Sequence, residues 1–349
     1  MLAAIFFSFV LILGSVVSAD ELARPALVDE PPAPGKFVRV TPTEYAGSDV
    51  HHGLYLPTDW RPDGKYPVIV EYAPNQAPAF GTTGAVADCR LGYYLSGGRG
   101  CIWVVMPYVN TVELRNQPTW WANEQATIDY CLKNLAQVCD TYGGDRDSVV
   151  LIGFSRGAIA CGYLGLRNDT IADVWLAFWP HSHIDSGRFT KEGGRERLQR
   201  TRGRATLVTW GETDNAKTES PRGAALLREL GQPVTDFEIA ATGHTDTWIE
   251  RDGPARQRAR KWLDDVLKHR TGTYQVTGRL VDSAGQAIAG ATVACGTWHR
   301  ATTDATGQFV IRGLTIGVRP LIATQGAKTT ELKSIEIKNA DVNLGNVSF

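Results

Sequence analysis

The sequence predicts an α/β protein: a mostly parallel sheet with helices on both faces, followed by a small all-β sandwich. Three observations carry this. Between residues 36 and 270, short apolar runs alternate with stretches of helical periodicity. Runs such as Val68-Ile69-Val70 and Val149-Val150-Leu151-Ile152 are continuously apolar, as strands covered on both faces are. Composition then changes at Thr271-Gly272, and residues 272–349 are rich in Thr, Gly and Val with no helical period.

Residues 1–19 are apolar almost throughout and end in Val17-Ser18-Ala19 before Asp20, which reads as a secretory signal with a small-residue cleavage site. The segment lacks the usual leading Lys or Arg, so an uncleaved N-terminal anchor is the other reading. Residues 20–35 are Pro- and Ala-rich and form a linker. Residues 37–41 predict a strand with Val38 and Val40 on one face and Arg39 and Thr41 on the other. Strands follow at 50–57 and 66–72, with a turn at 59–64 between them. A Pro/Ala/Gly-rich loop at 73–84 leads to a helix at 85–96 and a buried strand at 101–107. After a polar loop at 108–119, the spacing of Ile128, Cys131, Leu132, Leu135 and Val138 predicts a helix over 120–142. The strand at 148–153 runs into Gly153-Phe154-Ser155-Arg156-Gly157, and a helix-capable stretch follows from Ala158. Beyond it come strands at 174–179, 205–211 and 234–240, with a helix at 221–231. The helix at 254–270 has Pro254 in its first turn and Lys268, His269 and Arg270 in its last, as the macrodipole favours.

The chain has 349 residues, enough for one large α/β domain and one small one, with 43% hydrophobic and 21% charged residues. A net charge of −1 argues against nucleic acid or an anionic membrane as the main partner. No stretch after residue 19 is long and apolar enough to span a bilayer, so the mature protein is expected to be exported and soluble, periplasmic or extracellular. The six cysteines show no metal-ligand spacing. Cys89 and Cys101 flank a Gly-rich loop and are the best candidate disulfide, whereas Cys131 and Cys139 would be separated by about 12 Å of helical rise. Cys161 reads as a small buried apolar residue.

The chemistry centres on Ser155. A strand entering Gly-x-Ser-x-Gly and a helix leaving it would lift the serine out of the sheet on a sharp, strained turn, with the first amides of the helix beside it. This motif in this setting resembles the α/β-hydrolase superfamily over residues 36–270. The resemblance implies a Ser–acid–His chain order. Two strand ends then supply candidates: Ala205 to Asp214, with Asp214 as the acid and Glu212 as runner-up, and Phe237 to His244, with His244 as the base. It also implies an oxyanion hole from the backbone N–H of Arg156 and one from the loop after residue 72; the His-Gly-Gly-Gly form of that loop is missing, and Ala73 is the candidate donor. In the tail, residues 278–293 and 303–311 read strand, turn, strand, and resemble the carboxypeptidase regulatory-like (transthyretin-like) domain. Such a module implies a stabilising appendage or a glycan- or surface-binding unit, with no catalysis assigned.

Trp120 and Trp121 can stack on a substrate ring or pack in the core. The Arg156 side chain can meet an anionic substrate or form a salt bridge. His181 and His183, at i and i+2, would point to one side and can line the pocket, serve structure or bind a metal, although no third ligand is evident. His51-His52 reads as structural. The basic segment 186–204 is a solvated excursion or a partial lid favouring acidic substrates. Together these predict an exported serine hydrolase acting on a carboxylic ester of a small molecule or polysaccharide, such as acetyl or feruloyl groups, with no metal or organic cofactor. A prolyl-oligopeptidase-like peptidase and a non-catalytic binding protein on the same fold are the competing readings.

Overall fold

The computed structural model describes residues 22–184 and 193–349. The expected signal segment, together with Arg188 and Lys191 of the basic stretch, lies outside the described residues. The first body is built on a nine-stranded sheet. Its strands are β1 (Leu27–Val28), β2 (Phe37–Val40), β3 (His52–Tyr55), β4 (Tyr66–Tyr72), β5 (Ile102–Met106), β8 (Gly144–Phe154), β9 (Ala177–His181), β10 (Thr206–Gly211) and β11 (Val234–Ile239). They lie in the order β1-β2-β3-β5-β4-β8-β9-β10-β11. From β5 to β11 every neighbouring pair is parallel; β3 runs antiparallel to both β2 and β5. A two-stranded ribbon, β6 (Val109–Asn110) and β7 (Arg115–Asn116), stands apart from the sheet.

The helices are α1 (Leu91–Ser96), α2 (Glu124–Tyr142), α3 (Arg156–Tyr163), α4 (Asp169–Ala172), α5 (Gly194–Gln199), α6 (Glu219–Glu229) and α7 (Pro254–His269). The central runs Val68-Ile69-Val70, Val104-Val105 and Val149-Val150-Leu151-Ile152 are fully buried, as helices on both faces require. Parallel register sets the functional edge. Tyr72 pairs with Gly153, Phe154 with His181, His181 with Thr209, and Gly211 with Ile239. The carboxyl ends of five strands therefore meet along one rim, where ligands bind in open α/β sheets.

Local hydrogen bonding moves several element boundaries. The helix expected over 85–96 is split. Asp88 accepts from the amides of Thr83 and Gly84, and the buried Glu71 carboxylate accepts from the amides of Arg90, Leu91 and Gly92, so α1 starts only at Leu91. The helix expected from Trp120 starts at Glu124, because the Asn123 side chain caps it by accepting from Ala126 N at 2.9 Å. The expected Cys89–Cys101 disulfide is absent. Both thiols are unbonded and buried, and α1 lies between them, about 9 Å of helix. Burial pushes the Cys101 thiol up to about 12.

Where the basic segment is described, Arg195 is exposed, whereas three other arginines turn inward. Arg204 is fully buried and donates to the carbonyls of Thr201, Ala172, Trp175 and Arg200. Arg202 pairs with Asp169 and Asp173, and Arg197 lies over the Tyr163 ring. These guanidiniums hold the body together instead of extending into solvent.

The tail forms two facing sheets with their own apolar core of Val276, Leu280, Val293, Ile311, Leu321 and Ile335. One sheet has the order β15 (Gln308–Leu314), β12 (Tyr274–Val281), β18 (Val342–Ser348); the other has β14 (His299–Thr302), β13 (Thr292–Cys295), β16 (Gly317–Gln325), β17 (Lys328–Ile337). The sandwich is docked, not hung on a tether. Asp173 receives Arg319 through Nε at 2.7 Å and Nη2 at 2.6 Å, and Arg202 through Nη1 at 2.9 Å. His299 sits 2.8 Å from the Asp173 carbonyl and 3.3 Å from Asp147 Oδ1. Trp298 donates its indole N–H to Arg146 O at 2.9 Å and joins the larger core.

Burial opposes ionisation of Asp173, but the Arg319 and Arg202 guanidiniums overcome it and hold the carboxyl below its ordinary range. A depressed folded-state pKa adds stability above the unfolded value of about 3.9 and loses it as pH falls through that range. Asp173→Ala leaves the Arg319 guanidinium without its carboxylate and Arg202 with Asp169 alone, and is expected to cost roughly 3 kcal/mol. Urea unfolding at pH 7 and pH 3.5 checks this: the gap between wild type and variant narrows at the lower pH.

Candidate active site

The rim is organised at Ser155. Its backbone is left-handed, φ 55° and ψ −116°, although it is not glycine. Such a conformation persists only where the surroundings impose it. Here they do. A Cβ on Gly153 would lie 2.3 Å from the Gly157 carbonyl carbon, and one on Gly157 would lie 2.1 Å from Tyr72 O. Strand β8, helix α3 and the end of β4 thus approach too closely for any side chain at those two positions, and Ser155 takes the strain between them. The Ser155 amide donates to His181 O at 3.0 Å, which ties the turn to the end of β9.

Three side chains predicted from sequence meet there. Ser155 Oγ lies 2.9 Å from His244 Nε2, and His244 Nδ1 lies 2.9 Å from Asp214 Oδ1. With Nδ1–H donating to the carboxylate, Nε2 is left free to accept from the serine hydroxyl. The Asp214 side chain has no exposed surface. Burial works against its charge, but hydrogen bonds from His244, the Ala216 amide and Ser182 outweigh it and hold the carboxyl down to about 2. The Ser182 hydroxyl donates to Asp214 Oδ2, and Ala216 N donates to Oδ1 at 2.8 Å. Glu212, the runner-up acid, accepts from the Ala241 amide at 2.8 Å and has no bond to the histidine.

Arg156 contributes the first amide of α3, immediately after Ser155, and such amides have no acceptor within the helix. Ala73 follows the end of β4 and is buried, its carbonyl accepting from Tyr108 OH at 3.0 Å. The Arg156 side chain matches neither sequence expectation. It is 1% exposed, and its hydrogen-bond partners are backbone carbonyls, not a carboxylate.

His181, the last residue of β9, and His183, just beyond it, do not share a side. Ser182 has φ 63°, which breaks the alternation that would align them. His181 is fully buried, with Nδ1 2.9 Å from Thr209 Oγ1 and Nε2 2.9 Å from Trp248 Nε1, and burial pushes it down to about 4. It braces the histidine loop from within the core, with none of its surface exposed. His183 instead lies with its ring 5.6 Å from that of His244 and its Nδ1 3.0 Å from Glu219 Oε2. Among the described residues no group of three His, Cys, Asp or Glu side chains is placed to hold a metal. The tryptophan pair divides its roles: Trp121 stacks on Tyr163 at 5.3 Å, whereas Trp120 is 40% exposed. His52 is buried against Tyr130 OH, in line with a structural role.

Sequence reasoning missed Ser182, Tyr108, Phe154 and Phe80. The Phe154 and Phe80 rings each lie 4.9 Å from His244, and Phe80 is 48% exposed. Phe80 was the one aromatic in the loop at 73–84, and Ser182 the hydroxyl next to a strand end; those were the available signals.

Comparison with known proteins agrees with this architecture. A family model for the carboxypeptidase regulatory-like domain matches residues 275–348. No curated protein matches the chain. Among solved structures, one chain from the structures of two fungal esterases from Rhizomucor miehei shares 10% identity, with 67% of this chain and 83% of that chain covered and a TM-score of 0.51. A thermostable esterase shares 18% identity at a TM-score of 0.44, covering 66% of this chain and 62% of its own. A putative dipeptidyl aminopeptidase IV from Bacteroides ovatus shares 14% identity at a TM-score of 0.47, with 67% of this chain and 35% of its own covered. The chain therefore spans less than two thirds of the length of these last two structures. The large sheet has the α/β-hydrolase fold, and the tail is a carboxypeptidase regulatory-like domain. No helix among the described residues is long and apolar enough to cross a membrane.

Gly157→Ala tests the close approach at the turn. Its methyl group meets backbone, which cannot swing aside. The variant is expected to lose about 1–3 kcal/mol through overpacking, read as a lowered midpoint in urea, and to lose ester hydrolysis even where it remains folded.

Proposed function

We propose that this α/β-hydrolase-fold chain is a serine hydrolase that cleaves carboxylic esters through a covalent acyl-enzyme. The observation that carries the reading is the continuous line from Ser155 Oγ through His244 to Asp214, with both links at 2.9 Å. A serine hydroxyl is a weak nucleophile near neutral pH and needs a base in contact with it. In this reading Ser155 Oγ attacks the ester carbonyl while its proton passes to His244 Nε2. Asp214, a carboxylate at any pH above about 2, holds Nδ1–H and stabilises the imidazolium. The carbonyl oxygen becomes an anion held by the amides of Arg156 and Ala73. The tetrahedral intermediate collapses, the C–O bond breaks, and the departing alcohol takes the proton from His244. Water then attacks the acyl-enzyme, loses its proton to His244, and releases the acid as the proton returns to Ser155.

Exposed Trp120, together with Phe80 beside His244, supports an acyl or alcohol group with a flat face. With the signal-like N-terminus and the appended β-module, this favours acetyl or feruloyl esters on exported polysaccharide as the substrate class.

Ser155→Ala and His244→Ala are each expected to lower kcat for p-nitrophenyl acetate by roughly 10⁴-fold or more, and Asp214→Asn by roughly 10⁴-fold, with circular dichroism unchanged. A panel of acetylated xylan, methyl ferulate and an aminoacyl-proline anilide checks the class. Turnover of the esters supports the reading, whereas turnover of the anilide alone overturns it in favour of a peptidase.

A further inference from the structure

Arg156 is the residue after the proposed nucleophile, yet its side chain is buried and hydrogen-bonded to backbone carbonyls, with no carboxylate among those partners. The guanidinium carries five N–H donors, and the structure supplies five carbonyls. Nε lies 3.4 Å from Ala73 O; Nη1 lies 3.2 Å from Gln117 O and 3.0 Å from Trp120 O; Nη2 lies 2.7 Å from Pro74 O and 3.3 Å from Gly84 O. The guanidinium carbon lies 3.9 Å from the centre of the Tyr108 ring. The hydroxyl of that tyrosine donates to Ala73 O as well, at 3.0 Å.

A buried cation is costly unless polar groups surround it. If its only task were to fill space behind α3, an apolar side chain of similar size would serve without that cost. What a guanidinium adds is a rigid planar fork that holds several chain segments in one fixed relation. Here the segments are the start of the loop after β4, that loop's far end at Gly84, and the loop running from β7 to α2 through Gln117 and Trp120. Two of them carry parts of the proposed site: Ala73, whose amide is the second oxyanion donor, and Trp120, the exposed ring.

We infer that Arg156 is a positioning residue that sets the second oxyanion donor and the exposed tryptophan relative to Ser155, with Tyr108 as its partner on the Ala73 carbonyl. This rests on the serine-hydrolase reading. The dipeptide Ser155-Arg156 then supplies the nucleophile, the first oxyanion amide and the support for the opposite wall. Any movement of α3 carries both walls together. Lysine keeps the charge but has three donors on a compact head and no plane, so it cannot hold five carbonyls at once.

The test uses the full chain with p-nitrophenyl acetate, and an aryl boronic acid as a mimic of the tetrahedral adduct. Arg156→Lys is expected to lower kcat by roughly 10- to 100-fold and to weaken boronic acid inhibition in parallel. KM should stay within about three-fold, because the ground state gains little from the second donor. Tyr108→Phe removes one of the two donors on Ala73 O and is expected to shift the same quantities in the same direction by roughly three- to ten-fold. Wild-type kcat and boronic acid affinity in Arg156→Lys overturn the inference. A fall in stability with kcat and inhibition unchanged also overturns it, since that is what a merely structural residue gives. If Arg156→Lys does not fold, Tyr108→Phe decides by the same criteria. Wild-type protein that hydrolyses no ester sinks the serine-hydrolase reading, and the inference with it; active wild type with undiminished variants sinks the inference alone.

Discussion

The contact between α3 and the end of β4 governs the rest of the site. There is no room for even one methyl group between Gly157 and the Tyr72 carbonyl. That closeness forces the chain to turn sharply after β8, and the turn places Ser155 in backbone geometry that non-glycine residues avoid. The same contact brings the first amide of α3 beside the loop that begins at Ala73. The position of the Ser155 hydroxyl and of the two candidate oxyanion amides therefore follows from one packing constraint. The parallel register of β8, β9, β10 and β11 then brings the acid and histidine loops to the same rim.

Charge is handled differently in different parts of the molecule. At the site, the Asp214 carboxylate is fully enclosed and is kept ionised by three donors, His244, Ser182 and the Ala216 amide. Arg156, behind the turn at Ser155, and Arg204, before the amino end of β10, are buried cations surrounded by carbonyl oxygens. Such groups give little net stability over well-packed apolar residues, but they hold irregular backbone in one arrangement. At the junction of the two bodies, Asp173 collects Arg202 and Arg319, so the segment carrying the basic residues also anchors the C-terminal sandwich. The histidine loop has a comparable brace: Trp248, just beyond it, meets the buried His181 ring under the rim.

Much of this was legible in the sequence, and the misses have physical causes. Apolar runs and their alternation with helices revealed the sheet, because strands covered on both faces have no polar side to disguise them. Ser155, Asp214 and His244 were readable because each follows a strand end. Side-chain contacts across the chain were not. Nothing in a local window says that Glu71 caps α1 from beneath, or that Asn123 sets the start of α2. The i, i+2 argument for His181 and His183 failed because it assumed that the strand continued, whereas Ser182 adopts a positive φ and turns the chain. The surroundings of Arg156 are not legible in the sequence, since an arginine satisfied entirely by carbonyls has no signature along the chain. The inward turn of Arg202 and Arg204 is hidden for the same reason: the acids and carbonyls that satisfy them are distant in sequence or part of the backbone.

The central claim is that His244, aligned by Asp214, makes Ser155 reactive, and covalent labelling tests it most directly. Wild type, His244→Ala and Asp214→Asn would be treated with a fluorophosphonate, followed by intact-mass measurement and peptide mapping. The account predicts one adduct on wild type, located at Ser155, and at most very slow labelling of the two variants. An adduct elsewhere, no adduct on folded wild type, or equal labelling rates in all three proteins would contradict it.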